Sequence, residues 1–447
     1  MYFLRREPFG GVLYHTETGT LKFINHTGYE ICFGISRKWS DDDIVGYIGE
    51  RFNVEAPEAV IRDIRSVRDD LDHPDRWNRA HGVAIGVTHG CVPTLSAPLE
   101  IHWEVTGKCN LRCMHCYNES SAAGRQPSLD EIRSVVEEVR EAGVKVRGII
   151  VSGGEPLMHS DLRTILELIR PLAAEVVLAT NGTLVTAANI DWIAGAVDLV
   201  NVSVDAADST DFARFRGRPD VLERVVAALR LFRDRGVPVV AQTTVSRRNI
   251  DALDDLAVLL KRNGVASWVV RMPLPIGRAR ENTTVFLDDG EAIAREPLFQ
   301  AIRDRHRADF DTMHIGNRFM WSHSEPFEDT GPRNGLATCA AGTMLATIRS
   351  DGTMVPCAIF GDTEVPTAHS GMIWNGHFLS EWRDAGCFRA MRGIALAGID
   401  PCNRCSKLSV LCDGGCRALA FDAFGDVSAP DPSCAYVAAA RRRRAAS

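Results

Sequence analysis

Short apolar runs separated by turn-prone segments open the chain, and then the period changes. Runs at 2–6, 12–15 and 21–24 read as strands, divided by PFGG and TETG. Helical stretches follow at 26–36, 40–51 and 57–72. Ser40 before three aspartates supplies an N-cap and acids for a first turn. The spacing predicts a small α+β domain over 1–75, with 76–97, which lacks periodicity, as a linker.

From 98 to 281 strands and helices alternate. A first strand at 99–105 carries Glu100, His102 and Glu104 on one face. Ser128 and Glu131 form a capping box for a helix whose apolar stripe is Leu129, Ile132, Val135, Val136 and Val139, closed by Gly143. Strands at 148–152, 175–180, 198–205, 238–245 and 267–272 alternate with helices near 161–170, 187–195, 219–235 and 250–263. Six such units predict an α/β fold: a partial (β/α)6 TIM-like barrel, or an open doubly wound sheet, which fits the periodicity equally well. Asn201, Ser203 and Asp205 share one strand face and are candidates to line a lumen. Residues 282–335 read as an irregular bridging region, and 336–440 as a cysteine-rich domain.

With 45% hydrophobic and 24% charged residues among 447, the composition is that of a globular protein. The net charge of -7 gives no case for nucleic-acid binding, and the basic run 441–444 reads as a solvated tail. No apolar run of about 20 residues predicts a membrane span. No secretory signal is recognisable at the start, which leaves a cytoplasmic location as the expectation. Thirteen cysteines in such a chain, three of them within eight residues and five between 402 and 434, read as metal ligands rather than disulfides.

Directly after the first barrel strand stands Cys109-Asn-Leu-Arg-Cys113-Met-His-Cys116. Three thiolates so spaced can ligate three irons of a cubane and leave the fourth open. A structural zinc ion wants four protein ligands, and no fourth with obvious spacing follows, although His115 is available. Gly153-Gly154-Glu155-Pro156 follows the second strand, Thr180-Asn181-Gly182-Thr183 the third, and Ser203-x-Asp205 the fourth. Together these resemble the radical S-adenosylmethionine (SAM) superfamily over about 99–275. The resemblance implies that a [4Fe-4S] cluster on Cys109, Cys113 and Cys116 binds SAM and cleaves it to a 5′-deoxyadenosyl radical. It implies SAM contacts from Gly153, Gly154, Glu155, Asn181, Ser203, Asp205 and, less specifically, Arg216, whose other reading is a surface arginine. An electron donor of flavodoxin or ferredoxin type is expected.

Cys339 and Cys357 come next, with Gly352 five positions before the latter. Then follow Cys402-x2-Cys405-x6-Cys412-x3-Cys416 and Cys434. This order resembles the SPASM extension of radical SAM enzymes, with one residue more than usual between Cys405 and Cys412. It implies two auxiliary iron–sulfur clusters, [4Fe-4S] in type. The outer falls on Cys402, Cys405, Cys412 and Cys434, the inner on Cys339, Cys357 and Cys416. Cys387 and Cys91 are candidates for a fourth inner ligand, while Cys32 reads as core.

Residues 11–31 resemble the winged-helix peptide-recognition domain of ribosomal-peptide maturation, similar to the pyrroloquinoline quinone chaperone. That resemblance implies docking of a precursor peptide's leader along the third strand's edge, Thr20 to Ile24; the other reading is a structural cap or dimerisation module. The three parts in this order resemble subtilosin-type maturases, which implies oxidative modification of a ribosomal precursor peptide, by thioether or other cross-link formation. Ala358 stands where the sulfatase-maturing branch carries an acid after the residue equivalent to Cys357, which disfavours formylglycine formation. Two other readings remain: a radical SAM enzyme acting on a small molecule or tetrapyrrole, and a non-catalytic iron–sulfur electron-transfer protein.

Overall fold

The structure is a computed structural model that describes residues 2–17, 21–52, 56–73, 93–287, 289–316, 339–360, 369–408, 412, 414–434, 436–437 and 440. The chain divides into two compact units, Met1–Ser96 and Ala97–Ser447. Cys91 and Thr20 lie outside the described residues.

In the first unit β1 (Tyr2–Glu7), β2 (Gly10–His15) and β3 (Leu21–Ile24) form an antiparallel meander in that order. Gly10 is held at φ +134°, where a Cβ would come within 2.2 Å of the Asn25 backbone. Asn25 then caps α1 (His26–Ser36), accepting from Gly28 N at 2.8 Å. Ser40 and Asp43 close a reciprocal capping box at the start of α2 (Asp41–Arg51), and Pro57 opens α3 (Pro57–Asp72). One apolar cluster joins sheet to helix through Leu13, Ile24, Tyr29 and Cys32; another, of Ile31, Ile44, Ile48, Val60 and Ile64, joins the helices. Cys32 is thus a core residue, its thiol pushed up to about 12 by burial. β3 pairs with β2 alone among the described strands. A groove beside it is lined by Lys22, Ile24, Cys32, Val67 and Asp70, with Lys22 and Asp70 ion-paired.

The second unit is built on a nine-stranded sheet. β4 (Glu100–Thr106), β5 (Val146–Gly153), β6 (Ala173–Thr180), β7 (Leu199–Ser203), β8 (Val239–Thr244) and β9 (Ser267–Arg271) are neighbours in chain order and parallel throughout. Between them lie α4 (Leu129–Glu141), α5 (Leu162–Ile169), α6 (Ile190–Ala196), α7 (Ser209–Arg216), α8 (Val221–Asp234) and α9 (Leu253–Arg262). A doubly wound sheet reverses its strand order at a switch point. From β4 to β9 this one does not, and same-handed crossovers then place the helices between those strands on one side and curl the sheet. Over these six strands the order is consistent with the barrel type. Ile101, Trp103 and Val105 are buried on the other face of β4 from Glu100, His102 and Glu104.

Within the stretch expected to be irregular, residues 289–316 are not so; 317–335 lie outside the described residues. The stretch holds α10 (Asp289–Ala294), α11 (Glu296–His306) and β10 (Thr312–Gly316), a seventh parallel strand paired to β9. α11 buries Phe299, Ile302 and His306. Further on, β11 (Leu345–Ile348) joins the opposite side of β4 in parallel and turns at Gly352 into the antiparallel β12 (Met354–Val355). The cysteine-rich section is therefore part of the barrel sheet. It continues with α12 (Phe378–Asp384), α13 (Gly386–Arg392) and α14 (Arg417–Phe424). The carboxylate of Glu138 on α4 accepts from Phe378 N and Leu379 N at 2.8 and 2.9 Å, which fixes α12 against the barrel wall.

Candidate active site

The cysteine loop leaves β4 at a register shift between Glu104 and Thr106 and is held by backbone contacts on every side. Gly154 N donates to Thr106 O at 2.7 Å and Glu155 N to Lys108 O at 2.8 Å. This approach requires both glycines: a Cβ on Gly153 would lie 2.1 Å from Thr106 O, and one on Gly154 2.1 Å from Lys108 O. From the other flank, Arg112 N donates to Arg216 O at 3.2 Å and Met114 N to Phe215 O at 3.1 Å.

Cys113 and Cys116 lie near enough to act on the charge of Cys109, and Cys113 on that of Cys116. The Cys109 thiol is pushed up to about 12, chiefly by burial, with the Leu111 N–H at 3.4 Å opposing and Glu155, Cys113 and Cys116 adding to the rise. Thiols so held lose their protons on binding metal. Among the described residues no three His, Cys, Asp or Glu side chains close around a single metal ion. The donor set, three thiols with N–H groups aimed at sulfur, fits a larger cluster instead.

Glu155 has no exposure to solvent. Its carboxylate accepts from Thr180 Oγ1 at 2.7 Å, Asn181 N at 2.7 Å and Leu157 N at 3.2 Å, so it ties the end of β5 to that of β6. Burial pushes it up to about 6 against those three donors. The side chain is committed to protein groups. Asn181 accepts from Thr183 N and Oγ1 at 2.9 and 2.6 Å and donates to Asn110 Oδ1 at 2.9 Å inside the cysteine motif. Its amide nitrogen stands 4.0 Å from the Cys109 sulfur.

Ser203 lies half-buried at the end of β7. Asp205 and Arg216 form an ion pair that is almost wholly buried; Arg216, 4% exposed, is not a surface residue. Asp205 also accepts from Thr244 N at 2.9 Å, while Arg216 Nη1 points at the Cys113 sulfur, 3.4 Å away. Asp205 and the Cys113 sulfur keep the guanidinium charged against the cost of burial. His115 stacks on Phe215 with centroids 4.6 Å apart. Burial, with Arg216 and Arg278 nearby, holds its ring well below the usual imidazole range.

Two groups escaped the sequence reading. Arg278, buried after β9, donates from Nε to Cys113 O at 2.9 Å and from Nη1 to Ser120 O at 3.1 Å, and its N–H bonds Cys116 O at 3.0 Å. The second is a cavity of about 170 Å3 lined by Glu104, Tyr117, Ser120, Thr347, Arg349 and Ala358, among others. Tyr117 hydrogen-bonds the Glu104 carboxylate, and burial and that charge hold its phenol protonated, well above its ordinary range. Thr347 is 0% exposed, and its hydroxyl has no protein partner. Glu104 and Thr347 share this cavity because β11 runs beside β4, with Thr347 opposite His102.

The C-terminal cysteines fall into two groups. Cys357 is acted on by Cys416 and Cys339, and Cys402 by Cys434, Cys412 and Cys405. Burial pushes Cys357 and Cys402 up to about 12. Asp431 joins the groups: it accepts from Cys416 N at 2.5 Å, and its carbonyl accepts from Cys434 N at 3.3 Å. Cys387 is buried on α13, where the charged groups acting on its thiol are Glu381 and Arg392.

Fold and cysteine loop define a class, and comparison with known proteins agrees. The Radical SAM superfamily model matches residues 103–260, and the AdoMet-dependent heme synthase of Methanosarcina barkeri is 31% identical over 353 residues, 76% of this chain and 97% of that protein. The chain belongs to the radical SAM superfamily and is a radical SAM enzyme. It is also similar to mycofactocin maturase MftC of Mycolicibacterium smegmatis, 28% identical over 347 residues, 76% of this chain and 83% of that one. Among solved structures it shares the fold of Streptococcus suis SuiB bound to precursor peptide SuiA. The TM-score is 0.69 at 16% identity, covering 97% of this chain and 98% of that one.

Proposed function

We propose that this enzyme modifies a ribosomally synthesised precursor peptide, forming a thioether or another oxidative cross-link. The observation that carries the reading is that β3 pairs with β2 alone among the described strands, with a groove beside it lined by Leu13, Ile24 and Val67 and by the Lys22–Asp70 pair. An extended leader segment adds to such an edge as a further strand. The first unit supplies the three strands and three helices of a winged-helix recognition module, and the similarity to MftC and the shared fold of SuiB point the same way.

In this reading Cys109, Cys113 and Cys116 hold the SAM-cleaving [4Fe-4S] cluster. The strand ends at Gly153, Gly154, Asn181, Ser203 and Asp205 hold SAM, with Glu155 and Arg216 fixing the loops that present them. When bound, cluster and SAM supply a 5′-deoxyadenosyl radical that takes a hydrogen atom from the substrate. The cavity between Tyr117 and Ala358 receives the peptide residue to be modified, beside Cys357. There Glu104, with Tyr117 donating to it, accepts the proton that leaves. Cys402, Cys405, Cys412 and Cys434 hold an outer auxiliary cluster and Cys339, Cys357 and Cys416 an inner one, in a SPASM domain. A flavodoxin- or ferredoxin-type partner supplies electrons.

The similarity to the heme synthase favours a second reading, a tetrapyrrole substrate. One experiment separates them: anaerobic incubation with SAM, reductant and a short cysteine-bearing peptide encoded beside the gene, read by mass spectrometry. Leader-dependent loss of two hydrogens together with 5′-deoxyadenosine is the expected result. Deoxyadenosine without a change in peptide mass would turn the search to tetrapyrroles.

A further inference from the structure

Among the described residues six threonines of the second unit are buried, and the hydroxyls of five have protein partners. Thr180 Oγ1 donates to Glu155, Thr183 Oγ1 to Asn181, Thr243 Oγ1 to Val204 O and Thr343 Oγ1 to Cys339 O, while Thr106 Oγ1 accepts from Lys108 N. Thr347 on β11 is the sixth, and its hydroxyl has none. Valine would give β11 the same strand preference and nearly the same shape, so the fold itself has no use for that oxygen. A hydroxyl buried without a partner is costly. Thr347 lines the cavity shared with Glu104, Tyr117, Ser120 and Arg349, whose walls are largely polar. A hydroxyl in such a space bonds water until another group displaces it, and that group must then replace the lost bond. A cavity of about 150 Å3 admits a benzene-sized molecule, so this one, at about 170 Å3, takes a single side chain.

We propose, on the peptide reading above, that Thr347 is a specificity-determining residue. Its hydroxyl bonds the side chain of the peptide residue that enters this cavity, and so selects a residue carrying a hydroxyl or amide over an apolar one of the same size. A hydroxyl can donate or accept, so both kinds of side chain satisfy Thr347. An apolar side chain displaces the water and leaves the hydroxyl unpaired. Sites built to bond a polar group reject analogues lacking it for this reason, whereas apolar pockets distinguish such pairs weakly.

The test is a competition in one anaerobic reaction of the full-length iron-loaded chain with SAM and reductant. The two substrates are the precursor peptide encoded beside the gene and a copy whose modified residue, located by mass spectrometry, is exchanged for its apolar isostere, such as valine for threonine or leucine for asparagine. The wild-type chain should modify the polar peptide in preference by about 100-fold or more, read as a ratio of kcat/KM. In Thr347→Val that preference should shrink to less than about tenfold, and Thr347→Ser should restore it. Should Thr347→Val fail to retain iron, Thr347→Ala, which also lacks the hydroxyl, decides in its place. An equal preference in the wild-type chain and the hydroxyl-free variant, or a modified residue without a hydroxyl or amide, overturns the assignment of Thr347. Deoxyadenosine without any change in peptide mass in the wild-type chain overturns the peptide reading as well, a result seen before any substitution is compared.

Discussion

Arg216 points Nη1 at the sulfur of Cys113, 3.4 Å away, while its other arm is ion-paired to Asp205. The pair is nearly dry, so removing one member leaves the other as an uncompensated buried charge, at a cost of about 3–5 kcal/mol. Arg216→Ala should therefore lower the denaturation midpoint and the iron retained at the first cluster. Asp205→Asn keeps an acceptor for Thr244 N but leaves the Arg216 charge without its carboxylate, so it should cost a similar amount. Anaerobic denaturant titration with iron analysis gives both readouts.

Gly154→Ala is expected to damage the cysteine loop more than the fold. Its Cβ would meet the Lys108 carbonyl carbon at 2.5 Å as well as the oxygen, and backbone cannot swing aside as a side chain can. Overpacking of this kind costs about 1–3 kcal/mol. The expected pattern is near-native circular dichroism with loss of the absorbance and SAM-cleavage activity of the first cluster. Unchanged SAM cleavage would show the loop tolerates the shift.

Glu155 makes stability depend on pH in the less common direction. Its folded value of about 6 stands above the ordinary 4.5, so the folded state binds its proton more tightly than the unfolded chain does. The contribution is full below about pH 4.5 and is lost as pH rises through about 6, about 2 kcal/mol in all. Denaturation midpoints of the metal-free chain between those pH values should fall with pH from this group, and Glu155→Gln should flatten that part of the slope.

Glu104→Gln and Tyr117→Phe separate hydrogen abstraction from proton removal. Both variants should still form 5′-deoxyadenosine in the presence of substrate, because neither removes a cysteine or a residue proposed to hold SAM, and Tyr117→Phe keeps the ring beside Cys116 while removing only its hydroxyl. Product should fall about 100-fold, the lower range for loss of a general base. Equal loss of deoxyadenosine and product would instead make the pair part of the substrate-docking surface.

What could be read from the sequence was mostly local. The capping residues Ser40 and Ser128 announce their helices because an N-cap bonds within its own first turn. The spacing of Cys109, Cys113 and Cys116, and the glycines at 153 and 154, mark a loop where backbones must meet. β10 was missed because Thr-Met-His-Ile-Gly is short and lacks a β-branched run; its strand character comes from pairing with β9. Arg278 was missed because it bonds carbonyls more than 150 residues earlier in the chain, and nothing beside it signals that reach. The cavity depends on β11 lying against β4, a parallel pairing between distant segments, so its lining could not be assembled from any local pattern.

That pairing also sets an order of events during synthesis. β4 carries the cysteine loop, yet its second neighbour, β11, leaves the ribosome more than half a chain length later. Until then β4 presents an open edge, the kind of surface on which nascent chains mispair. The cysteine loop thus hangs from the last of the six strands β4–β9 to gain both its neighbours, so a stalled chain holds all three cysteines while their strand is paired on one side alone.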